Sequence, residues 1–391
     1  MRIKRLDILR CAAVLLVVTG HSGIFFLTSK VGWVGVDLFF VLSGYLISGL
    51  LYSEYKKRGD ISFRRFFIRR GMKIYPAFYV MLLATYVGQL LFWHAPPQPL
   101  SSYLREILFV QNYRYAIWGH TWSLAVEEHF YIALALLLLV LARHSSNRTD
   151  PFRKVPQIFL FVAVACLTLR ILTIVLTPPA KFLTWQVMNL THTRVDALFF
   201  GVLLGYLYHF RPETVRNFCR PAVNRVALGI LSVVLLSCCY FFSRDDHFQL
   251  AFGLTFLYLG FGGLLILCLE VHNLLPGRVA RITERVGTGC AHVGTYSYSI
   301  YLWHAPFLLY VPVFLRKFVH VQPSGMAVTG VFILGCFVLG IAMAKLIELP
   351  VLQLRDRFFP RLQHPGFNPA TARASEHVSA SETACRSSHI G

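Results

Sequence analysis

An all-α bundle of about ten helices crossing a lipid bilayer is the fold this sequence predicts, and three observations predict it. Of 391 residues, 56% are apolar and only 14% are Asp, Glu, Lys or Arg, against roughly 25% charged residues in a typical soluble domain. Apolar runs recur from Leu6 to Ile347 with only short polar breaks, and about 20 mostly apolar residues suffice to cross a hydrocarbon core. The basic excess, 38 Lys and Arg against 18 Asp and Glu, crowds alternate breaks rather than spreading evenly. A buried soluble core imitates one or two such runs, not ten.

In chain order the candidate spans are 6–27, 33–53, 74–94, 120–142, 157–177, 191–209, 226–243, 249–271, 291–315 and 326–347. The first follows Met1-Arg-Ile-Lys-Arg5, the layout of a secretory signal. Arg10 interrupts its apolar stretch and no small-residue cleavage site closes it cleanly, so it reads as a retained helix. Placing the N-terminus in the cytoplasm puts most Lys and Arg in cytoplasmic breaks, the positive-inside pattern, and leaves both termini there. That distribution makes the lipid bilayer of an inner or plasma membrane the partner and excludes nucleic acid.

The break from Glu54 to Lys73 carries eight basic residues among Phe63, Phe66, Phe67 and Ile68. It reads as an interfacial amphipathic helix on anionic lipid or, second, as a surface for a polyanionic ligand. The outer break at about 95–119 carries Tyr103, Tyr113, Tyr115 and Trp118, read as interface anchors ahead of a stacking platform for sugar rings. Residues 1–357 form the membrane domain. Residues 358–391, rich in Ser, Ala, Thr and His without periodicity, form a disordered cytoplasmic tail. The nine cysteines include no Cys-x-x-Cys pair, so neither a disulfide framework nor a metal site is indicated.

Ionisable side chains inside a span are costly and point to function. Arg10 and His21 lie on one stripe of the first span, since 11 residues turn a helix through about 1,100° and rise about 16 Å. His21, Glu127, Glu128 and His304 all fall roughly 20 Å from the cytoplasmic face at about 1.5 Å per residue. Asp37, Arg194 and Asp196 sit near the outer ends of their spans. A histidine among carboxylates can act as general base for a hydroxyl, and cations nearer the cytoplasm can hold phosphates of an activated donor. The same set suits a proton-coupled transporter of a glycan, and the residues alone leave both readings open. A non-catalytic scaffold ranks third.

Seven blocks then resemble, in order, the acyltransferase 3 family of integral membrane acyltransferases. They are Leu6-Asp-Ile-Leu-Arg10 with His21; Gly35-Val-Asp37-Leu-Phe-Phe-Val-Leu-Ser43-Gly44-Tyr45; Arg69-Arg70-Gly-Met-Lys73-Ile-Tyr-Pro76; and His120-Thr-Trp122-Ser123-Leu-Ala-Val-Glu127-Glu128-His129-Phe-Tyr131. Arg194-Val-Asp196-Ala-Leu-Phe-Phe-Gly201, Tyr296-Ser297-Tyr-Ser-Ile-Tyr301-Leu-Trp303-His304 and Glu348-Leu-Pro350 follow. Two positions depart from the pattern: Lys73 stands for an Arg and His129 for a Gln.

The resemblance implies transfer of an acyl group, usually acetyl from acetyl-CoA with succinyl-CoA as the other donor, to a hydroxyl of a cell-surface or exported glycan. By residue it implies His21 as base or acyl carrier, with Glu127 or Glu128 orienting it. Arg10, Arg69, Arg70 and Lys73 hold the CoA phosphates, while Asp37, Arg194, Asp196 and His304 shape the acceptor side. A buried ion-pair network is the structural alternative for this last group. O-antigen, exopolysaccharide, peptidoglycan and lipid-linked acceptors all fit such a framework. Peptidoglycan ranks slightly lower because no extracellular domain is appended.

Overall fold

Every regular element is helical among the described residues of the computed structural model, which are 3–22, 30–93, 98–114, 117–177, 183–271, 277–320 and 326–360. The chain begins with α1 (Lys4–Ser22), α2 (Gly35–Arg58) and α3 (Phe63–Gly88). The short α4 (Leu100–Ile107) precedes α5 (Trp122–His144) and α6 (Val155–Leu176), and α7 (Leu183–Asn189) leads into α8 (Thr191–Phe210). After α9 (Pro212–Cys219), α10 (Ala222–Phe241) packs on α11 (Leu254–Glu270), and α12 (Gly277–Gly294) packs on α1. The described chain closes with α13 (Ser297–Phe314), α14 (Met326–Met343) and α15 (Leu349–Phe358).

Among the described residues eight stretches are helical, long and apolar enough to cross a bilayer, including Gly32–Arg58, Gly119–His144 and Ser297–Val319. The other two predicted spans are the helices α1 and α8, set apart by charge. Asp7, Arg194 and Asp196 on them are buried in protein rather than facing lipid, the only tolerable placement inside a membrane. The protein is therefore a multi-pass helical membrane protein.

At the centre α2 packs along α8. A Cβ on Gly44 would overlap the Leu198 carbonyl oxygen, and one on Gly201 the Val41 carbonyl oxygen. In lipid, apolar surface gains nothing by leaving its surroundings, so helices associate through close backbone contact and polar bonds. The outer helices show the reverse face. Leu160, Phe161 and Val175 of α6 and Val223, Ile230 and Val233 of α10 are exposed, as lipid-facing side chains are.

Three expected boundaries shift. The basic break at 54–73 is a tight turn rather than a separate amphipathic helix. Gly59, at φ 72°, ends α2 in the left-handed region that glycine adopts freely. The Ser62 hydroxyl then accepts the Arg65 N–H and caps α3, which runs on into the membrane. The span expected over 291–315 divides at Thr295 and Tyr296 into the end of α12 and the start of α13. The last span continues beyond Ile347, because a π-helical segment over Ala344–Glu348 joins α14 to α15. This wider turn aims Glu348 at Ser299, whose hydroxyl donates to it at 2.7 Å. The tail expected over 358–391 starts at the last residue of α15, and 361–391 lie outside the described residues.

Candidate active site

Helices α1, α2, α3, α5 and α13 surround a cavity of about 90 Å³, room for several water molecules. Its charged lining residues are Arg10, Arg70, Lys73 and Glu127, and Ser43, Ser123 and Tyr301 add hydroxyls. One stretch of the wall is thus cationic and partly exposed, and another is a set of neutral hydroxyls.

Arg10 lies within 3.0 Å of Asp7. Arg70 donates to the Tyr131 hydroxyl, lies over that ring at 4.2 Å, and reaches Glu127 at 3.5 Å. The Tyr131 hydroxyl in turn donates to Glu127, and Ser43 meets both, at 2.7 Å from Tyr131 and 3.1 Å from Glu127. Lys73 lines the cavity with no hydrogen-bond partner for its ammonium among the described residues. Arg69, grouped with these cations by its sequence, goes elsewhere. It pairs with Asp356 at 2.9 Å and donates to the Phe359 carbonyl, tying α3 to α15. Glu128 accepts from the Tyr75 hydroxyl at 2.9 Å. Neither glutamate is a hydrogen-bond partner of His21, so the expected Glu–His pairing is not what the geometry brings together.

His21 instead meets a second histidine. Its Nδ1 lies 2.9 Å from the Val17 carbonyl oxygen and 3.2 Å from His304 Nε2. His21 is exposed, whereas His304 is wholly buried. His304 Nδ1 donates to the Tyr301 carbonyl at 2.5 Å, and the buried His120 ring stands 5.2 Å behind it, nearly perpendicular. The Tyr301 hydroxyl donates to the His120 carbonyl at 2.6 Å and meets Ser123 at 2.7 Å. Tyr301 and Ser123 both line the cavity, so they connect it to the histidine group, although none of the three histidines lines it.

Asp37, Arg194 and Asp196 form a sealed network beside this. Arg194 donates to Asp37 at 2.8 Å, and Asp196 is held by Arg170 and by its neighbour's N–H. Arg170, fully buried on α6, also reaches the Ala251 carbonyl and the Thr255 hydroxyl. Sequence reading passed over Arg170, although a lone Arg in Phe-Val-Ala-Val-Ala-Cys-Leu-Thr-Leu-Arg170 is a visible signal. None of these four lines the cavity. Their arrangement fits the structural alternative weighed for them.

On the opposite side of α5, His129 Nδ1 lies 2.7 Å from the Thr191 hydroxyl. Of the outer-break aromatics, Trp118 is buried and its indole N–H donates to Thr85, while Tyr113 stays exposed and stacks on His192. Tyr115 lies outside the described residues. Glu106 on α4, also unremarked in sequence, is fully buried and accepts the Trp118 N–H at 2.9 Å and the Thr121 hydroxyl at 2.8 Å. Burial without a cation pushes its carboxyl up to about 7.

The profile of the family described as an acyltransferase domain matches residues 3–346. The peptidoglycan O-acetyltransferase OatA of Listeria monocytogenes is 28% identical over 331 residues, which is 78% of this chain and 49% of that protein. The O-acetyltransferase OatA of Staphylococcus aureus is 28% identical over 326 residues, 78% of this chain and 50% of that one. The chain therefore spans about half the length of these relatives. No solved structure matches it.

Proposed function

This chain belongs to the acyltransferase 3 family, and from that premise we propose that it moves an acetyl group from acetyl-CoA to a hydroxyl of a cell-surface or exported glycan. The observation that carries the reading is the cavity itself. It joins Arg10, Arg70 and Lys73 to the Tyr301 and Ser123 hydroxyls, and Tyr301 also supplies the carbonyl that holds His304 beside His21. Family membership favours this over the glycan transporter that the polar residues also suit.

With both termini in the cytoplasm, as the charge asymmetry favours, the cationic wall faces the compartment that supplies acetyl-CoA. Guanidinium and ammonium groups there hold the phosphates. A narrow cavity suits the thin pantetheine arm and the thioester rather than the nucleotide. His21, exposed at the outer end of α1, takes the proton of the acceptor hydroxyl on Nε2 as its oxygen attacks the thioester carbonyl. The C–O bond forms, the C–S bond breaks, and the proton passes from the imidazolium to the departing CoA sulfur. The Listeria relative's name raises peptidoglycan among the acceptors to test.

Purified protein in nanodiscs, given radiolabelled acetyl-CoA and native glycan, should release CoA and label the glycan. His21→Ala should lose the label by at least about a hundredfold, the lower range for a missing general base, while folding normally. Full transfer by that variant would overturn the reading.

A further inference from the structure

A base is only as good as its tautomer, and the hydrogen bonds around His21 determine which nitrogen is bare. A carbonyl oxygen accepts and never donates. The Tyr301 carbonyl, 2.5 Å from His304 Nδ1, therefore requires a proton on that nitrogen. In the neutral ring His304 Nε2 is then an open lone pair. It faces His21 Nδ1 at 3.2 Å, and the Val17 carbonyl faces the same Nδ1 at 2.9 Å. Both neighbours ask His21 to carry its proton on Nδ1, which leaves Nε2 bare and without a hydrogen-bond partner among the described residues.

We propose that His304 is the positioning residue for His21: its Nε2 accepts the His21 Nδ1–H, fixes the ring with Nε2 toward substrate, and shares the positive charge that forms when Nε2 takes the acceptor's proton. This rests on His21 being the base. The role is the one a carboxylate fills in a Ser-His-Asp triad, here given to a neutral imidazole. While His21 keeps its Nδ1 proton, His304 cannot carry a second one, because its N–H would then point at the N–H of His21. The remaining side of His304 is closed by the neutral face of His120, whose Nε2–H is spent on the Leu302 carbonyl at 3.2 Å.

The support for His304 is itself cross-braced. Tyr301 supplies the carbonyl that sets the His304 tautomer, and its hydroxyl is pinned to the His120 carbonyl and to Ser123. Three histidines and one tyrosine, drawn from α1, α13 and the entry to α5, thus hold one nitrogen in place, and of the four only Tyr301 lines the cavity.

The test uses the full chain in nanodiscs and three variants. His304→Phe keeps a flat ring and removes the acceptor, whereas His304→Gln places an amide oxygen near the lost Nε2. His304→Phe should lower kcat about a hundredfold, the scale of a catalytic group misplaced by about 1 Å, with the KM for acetyl-CoA unchanged, and His304→Gln should recover most of that loss. In the unsubstituted protein carrying ¹⁵N-histidine, magic-angle-spinning spectra should correlate a protonated Nδ1 with a bare Nε2 across the hydrogen bond. That signal should vanish in His21→Ala.

Wild-type kcat in His304→Phe would overturn the assignment, as would equal losses in the Phe and Gln variants or the absence of the nitrogen–nitrogen correlation. The last readout needs no substitution at His304 and so stands even where a variant fails to fold. Transfer persisting in His21→Ala would instead overturn the base, and an inactive His21→Ala beside a fully active His304→Phe would remove only His304.

Discussion

Two polar regions share this bundle and use the same residue types to opposite ends. In the first, Arg194 faces Asp37 and Arg170 faces Asp196, all four buried and paired one to one. In the second, Arg10 pairs with Asp7 and Arg70 with Glu127, Lys73 lines the same cavity with no ion pair among the described residues, and all three cations remain partly exposed. The lesson concerns charge balance. A membrane interior tolerates an ion when its countercharge is supplied by protein, and a cation left over, as Lys73 is, suits an anion arriving from elsewhere. The sealed network joins α2, α6 and α8, whereas the cavity is where a ligand can complete the pairing.

The comparison can be broken most forcefully in the sealed region. Arg170→Met leaves Asp196 buried without its cation, and such a loss costs about 3–5 kcal/mol. Unfolding in detergent should shift accordingly, and an unaltered thermal midpoint would place the network among ornamental contacts. Glu106 offers the intermediate case, a buried carboxylate served only by neutral donors. Between about pH 4.5 and 7 the unfolded carboxyl is ionised while the folded one keeps its proton. The unfolded state binds fewer protons there, so stability falls as pH rises through that window, by about 3 kcal/mol at most. Comparing melting curves at pH 5 and pH 8 with those of Glu106→Gln measures the difference, which the amide should flatten.

The smallest effect belongs to the cavity. Lys73→Ala should raise the KM for acetyl-CoA about tenfold, the scale of one charge-assisted contact, with the thermal midpoint unchanged. A large loss of stability and an unaltered KM would move Lys73 into the structural class.

The spans were legible because a bilayer demands long apolar runs, and α1 and α8 were found despite their charges because polarity there still sits on an apolar helix. Arg10 and His21 stood out for the same reason, as ionisable groups placed where none is cheap, whereas Arg70 and Lys73 stood in the basic break and were singled out by the family resemblance. Partnerships were not. Glu127 and Glu128 lie at a depth similar to His21, but one turns to Tyr131 and Arg70 and the other to Tyr75. Direction around a helix depends on neighbours far away in sequence, and His304, 283 residues from His21, shows how far. Arg69 and Arg70 differ by one position, or about 100° of rotation. That rotation separates a brace on α15 from a cavity wall.

The glycine contact between α2 and α8 divides the protein into frame and moving wall. Gly44 and Gly201 bring two backbones to a distance at which no side chain can interpose, so neither helix can lean inward or rotate against the other without collision. A cavity of about 90 Å³ must widen to pass a thioester. Since α2 is the wall locked to that frame, the opening falls to α1, α3, α5 or α13. The proposed base His21 and its positioning residue His304 span two of these, α1 and α13, so on that proposal admitting the donor and aligning the base become one mechanical event.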